Sequence, residues 1–140
     1  MNREIPEVLD WVSERARCTP SVIIEALRSQ VENDIKARNL IGPQHGFPKR
    51  NFELQADANW FAVIQRQFPG KAKGVFFHLT PVGIKIRDSE TSRDILDASL
   101  TLSDDGKCRL KVGETEYNLW QFRKLALHDL FFVDQEILIP

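Results

Sequence analysis

Cysteine is scarce in this chain, with only Cys18 and Cys108 among 140 residues. Two thiols cannot make the dense disulfide framework of a small secreted domain. The opening MNREIPEVLDWV has acids at positions 4, 7 and 10 and no apolar core, so a secretory leader is not expected. Both thiols are therefore expected to be reduced core residues, and the location cytoplasmic. No apolar run approaches the roughly 18 residues that a membrane span needs, so no membrane contact is expected.

Catalytic and metal motifs are missing as well. CxxC, HxxxH and HExxH do not occur, and the three histidines, His45, His78 and His128, are scattered, so neither metal nor cofactor is expected. No GxSxG elbow exists for a serine nucleophile. Cys18 precedes a helix start, where a thiolate is favoured, but no base is paired with it by sequence. PGKAKG has two glycines and two lysines, yet Val75 follows the second glycine where a phosphate loop requires Lys and then Ser or Thr. Asp104-Asp105-Gly106 reads as turn chemistry rather than an acid–base pair.

What is present suits one folded domain spanning residues 1–140. Apolar residues make up 42% and charged residues 28%, ordinary values for a globular chain, and this length supports a single core. The spacing of Val8, Leu9, Val12 and Ala16 predicts a helix over about 5–17 with that stripe inward. Thr19-Pro20 caps a second helix, with Ile24, Leu27, Val31 and Ile35 in line, which Gly42-Pro43 stops near residue 40. Residues 42–51 carry two prolines and two glycines and form a loop.

Alternating segments follow. Phe52, Leu54 and Ala56 predict a strand; 60–68 fits a strand or a helical face, and the apolar run just beyond PGKAKG favours the strand. Strands over 75–80 and 83–87 flank a Thr80–Gly83 turn. Ala98, Leu100 and Leu102, then Cys108, Leu110 and Val112, alternate with polar residues, which predicts an antiparallel sheet covered on one side. A short strand at 115–117 leads into a helix over about 118–131, whose stripe of Leu119, Phe122, Ala126 and Leu130 is widened by Trp120, Leu125, Leu127, Phe131 and Phe132. The expected class is α+β: a helical hairpin, an antiparallel meander and a covering C-terminal helix. The apolar tail EILIP is expected to add as an edge strand, dock on the core or meet a partner.

Charge is uneven although the net is −1. Residues 1–35 carry −3, residues 36–78 carry +5 and residues 79–140 carry −3. Within the basic stretch and just beyond it, Lys49, Arg50, Arg66, Lys71, Lys73, Lys85 and Arg87 interleave with Phe47, Phe52, Phe68 and Phe76. Such residues can neutralise phosphates and stack on unpaired bases, although a pI near 6.3 is low for a nucleic-acid footprint. The function expected first is non-catalytic binding to a protein partner or to itself as a homodimer. Nucleic-acid or anionic-ligand binding through 47–87 is the alternative. A small hydrolase or transferase whose site assembles only in space is the second.

Overall fold

The computed structural model describes residues 5–66, 72–89 and 94–132. Three helices, α1 (Trp11–Arg17), α2 (Pro20–Asn39) and α3 (Leu119–Phe132), enclose the sheet strands in chain order. The strands are β1 (Phe52–Ala56), β2 (Trp60–Arg66), β3 (Ala72–Leu79), β4 (Gly83–Asp88), β5 (Asp94–Leu102), β6 (Cys108–Val112) and β7 (Thr115–Tyr117). They form one antiparallel meander in which every strand pairs with its sequence neighbours. The α+β arrangement expected from the sequence is the one observed. Among the described residues no helix is long and apolar enough to cross a membrane.

Alternation along the strands sorts side chains to two faces. Phe61, Val63, Val75, Phe77, Ile84, Ile86, Ala98 and Leu110 are buried on one of them. Two helices cover that face, not α3 alone. α2 contributes Ile23, Ile24, Leu27, Val31 and Ile35, and α3 contributes Phe122, Ala126, Leu127 and Phe131. Ring contacts bind the layers: Phe61 stacks on Phe77 at 4.4 Å, and Phe52 meets Phe131 edge-on at 4.8 Å. The α2 start is as read, with the Thr19 side chain accepting from the Val22 N–H and proline at the first position. Segment 60–66 is a strand; residues 67–71, which include the hairpin tip and Lys71, and the tail 133–140 lie outside the described residues.

Three expectations about the helices are corrected. The first helix is shorter than 5–17, beginning only after Asp10, whose carboxylate caps the Ser13 N–H. Its expected inward stripe faces water: α1 buries no residue, and Val8, Val12 and Ala16 are exposed. Helical periodicity marks an apolar face without saying what covers it. On α3, Leu127 and Phe131 widen the core stripe as expected, but Trp120 and Leu125 point outward.

The cysteines, expected to be reduced, form a disulfide, with Cα atoms 5.4 Å apart across 90 residues of sequence. It joins the α1–α2 junction to the start of β6. Beneath it, the Asp104–Gly106 turn is built as its residue types suggest, with Gly106 at φ 81°. Leu9 packs over Gly106, so a Cβ there would have to displace its methyl groups. A buried ion pair fixes the same corner: Arg109 donates to both Asp105 oxygens at 2.6 and 2.7 Å and to Asn118 Oδ1 at 2.8 Å.

Candidate functional site

Among the described side chains, the sheet separates Lys73 from Lys85 and Arg87 rather than gathering them. Lys85 and Arg87 alternate with the buried Ile84 and Ile86 and so lie on the face opposite the two helices. Both are ion-paired with one carboxylate, Asp94 on β5, at 3.4 and 3.0 Å. Lys73 has the opposite parity, that of Val75 and Phe77. With the buried Arg50 it lines a cleft of about 230 Å³ between the sheet and α3, which Asp88 and Asp129 also line. The Lys49 ammonium donates to the Asn39 carbonyl at the end of α2. Arg66 closes β2 in register with Ala72.

On that opposite face the two cations adjoin an aromatic row. His78 pairs across to Lys85 and Phe76 to Arg87 in the β3–β4 register. Phe76 stacks against the His78 ring at 5.9 Å and leans on Trp60 at 5.4 Å. Burial, followed by the Arg87 charge, holds the His78 imidazole below its usual 6.5; Asp94 opposes this and Lys85 adds to it. The result is a half-buried neutral imidazole beside two cations. Trp60 was not singled out from the sequence, although its register opposite His78 is what completes the row.

A second kind of surface is apolar. Val8 is 90% exposed, Trp11 64% and Val12 59%, yet this segment is anchored to the body by the Cys18–Cys108 bond and by Leu9. On the helix layer, Trp120, Lys124 and His128 recur every fourth residue and form a ridge on α3, with Trp120 55% exposed. A groove of about 300 Å³ runs between this ridge and α2, floored by Ala37, Ile41, Leu127 and Phe131. A hollow of about 480 Å³ on the other side of the ridge is lined by Tyr117, Gln121, Leu125 and Asp129. Trp11 and Trp120 carry no sequence motif; only their placement in space marks them.

Neither His45 nor His78 lines these clefts. Among the described residues no three His, Cys, Asp or Glu side chains gather as a metal site would require. No family model matches this chain, and no curated protein or solved structure does.

Proposed function

We propose that this chain is a non-catalytic binding domain that works by contacting another protein, a second copy of itself included. The observation that carries this reading is the outward apolar face of residues 8–12, held in place on the molecule. A fully exposed Val or Trp forgoes roughly 1.5–3 kcal/mol of burial free energy. A seven-residue helix is also too short to persist in water alone. Here the helix is capped by Asp10 at one end and closed by a disulfide at the other, so the fold holds in shape a surface that gains nothing from the core. Contiguous apolar surface of that kind marks interaction sites, and tryptophan is the residue most enriched at their energetic centres.

A photo-reactive residue in place of Trp11, compared with one at the exposed Ala58 in the β1–β2 turn, tests the reading in intact cells. Cross-linked protein from position 11 and none from position 58 is the expected result. A position 11 that captures no protein contradicts it.

A second reading has its own observation, the Trp60–Phe76–His78 row beside Lys85 and Arg87. Stacking rings next to cations suit a single-stranded nucleic acid or another flat anion. Asp94 cancels part of that charge, which is why this reading stands second. Binding of single-stranded RNA or DNA that weakens with salt and is lost in Lys85→Gln/Arg87→Gln supports it; undetectable or salt-independent binding removes it.

The cytoplasmic location expected from the sequence drew on reduced thiols, and the Cys18–Cys108 bond takes that support away. An oxidising compartment, where such a bond persists, suits the structure better.

A further inference from the structure

We infer that the protein partner is a second copy of this chain, the acidic apolar segment 5–14 of one copy seating in the basic apolar groove between α2 and α3 of the other. This deepens, and rests on, the protein-contact reading. Two surfaces that have no apolar partner in their own copy among the described residues are complementary in both hydrophobicity and charge. Segment 5–14 presents Val8, Trp11 and Val12 together with Glu7, Asp10 and Glu14, and it contains no base. The groove offers an apolar floor with Arg38, Arg123 and Lys124 against the single acid Asp34, a net of +2 on a chain whose overall charge is −1. Part of that charge is committed within the copy: Arg123 Nε donates to Asp34 at 2.7 Å, and Arg38 is buried in the groove wall. Lys124 remains on the exposed rim beside Trp120, whereas His128 on the same rim contacts Asp129 at 3.4 Å.

In its own copy the α1 helix packs on β6 rather than on α3, with Leu9 and Cys18 fixing it there. Each copy has one plug and one groove, so a two-fold pair closes with the plug-in-groove contact made twice and none left over. Apolar burial around Trp11 and Trp120 supplies the affinity. The opposed charges orient the segment and penalise the reverse seating.

Size exclusion with light scattering on the full chain tests this. The expected mass is twice the 16.1 kDa of one chain, falling to that of one chain in Trp11→Glu and in Trp120→Glu, with thermal unfolding of both variants little changed. Glu7→Lys and Lys124→Glu, both at exposed positions, are each expected to weaken pairing at least about tenfold, which corresponds to about 1.4 kcal/mol. Mixing those two variants restores it, because the mixed pair has one reversed contact and one native contact. These two variants also carry the test should a tryptophan variant unfold. A strict monomer overturns the inference, as does a dimer indifferent to all four substitutions or a mixture that stays apart. If the chain is monomeric but position 11 cross-links to a different protein, the second-copy inference falls and the protein-contact reading survives. If position 11 captures nothing, both fall.

Discussion

The side-chain amide of Asn39 satisfies both backbone polar groups of Phe52: its Nδ2 donates to the Phe52 carbonyl at 3.0 Å and its Oδ1 accepts from the Phe52 N–H at 2.8 Å. A neighbouring antiparallel strand would make the same pair of bonds. The last residue of α2 therefore stands in for a strand outside β1 and blunts the start of an edge that could otherwise recruit another chain. Asn39→Ala is expected to cost about 1–3 kcal/mol in urea unfolding, the range for leaving buried polar groups unmet. Asn39→Asp should fare little better, since a carboxylate cannot donate to the Phe52 carbonyl. A loss below about 0.5 kcal/mol, the usual scale of a neutral surface change, contradicts this role.

The Cys18–Cys108 bond closes 90 residues of chain. Cys18→Ser/Cys108→Ser is expected to lower stability by roughly 2–5 kcal/mol, and a reductant should shift the melting of the parent, but not of the variant, by a similar amount. The local effect is more telling. With the bond gone, amide exchange across 11–17 should accelerate more than exchange in β2 and β3, because α1 has no buried residue to hold it. Equal acceleration everywhere argues that α1 is held by something other than the bond.

Arg38 is buried at 2% exposure and ties three segments by their carbonyls, donating from Nε to Phe131, from Nη1 to Ile41 and from Nη2 to Pro48 at 2.8, 3.3 and 3.1 Å. Its guanidinium carbon also lies 5.6 and 5.4 Å from the Phe52 and Phe132 ring centroids. The Phe131 carbonyl belongs to the negative end of the α3 dipole, which helps to offset the charge. Arg38→Met is expected to cost about 3 kcal/mol, roughly 1 kcal/mol for each carbonyl left without a donor. Arg38→Lys recovers only part of that, because an ammonium lacks the planar fork. Unchanged denaturant midpoints in both variants contradict the role.

His78 gives a pH signature. Its folded pKa is held below 6.5, by burial first and by Arg87 next. Between that lowered value and 6.5 the unfolded chain binds more protons than the folded one, so this group's contribution to stability is complete above 6.5 and is lost as pH falls through the window. His78→Phe should flatten that part of the stability profile. Arg87→Gln should raise the His78 pKa without bringing it fully to its usual value, since burial persists. NMR titration of the ring measures both; an imidazole titrating at or above 6.5 in the parent contradicts the described environment.

The elements that were legible in the sequence are those in which local pattern and burial coincide. Thr19-Pro20 fixed where α2 begins, and Leu100 and Leu110 alternated with polar neighbours as a one-sided sheet requires; they are register partners on the covered face. Segment 8–16 misled because an apolar stripe has the same period whether it faces a core or a partner. The disulfide could not be read, since bonding depends on a Cα separation set by the whole fold. Arg38 did leave a trace: it continues the Ile24, Leu27, Val31, Ile35 series by three residues. The split of the basic residues was also written in parity, because Lys73 shares the alternation of Val75 and Phe77 while Lys85 and Arg87 run against Ile84 and Ile86. Charge counted along a segment hides that alternation.

Hydrogen exchange measured as a function of protein concentration tests the central claim most directly. Segments 8–17 and 120–128 are expected to gain protection together as concentration rises, while the strand centres at Phe61–Val63 and Phe77 exchange at unchanged rates. If both segments exchange identically from dilute to concentrated solution, the outward apolar face is not a site of self-contact and the second-copy account is wrong.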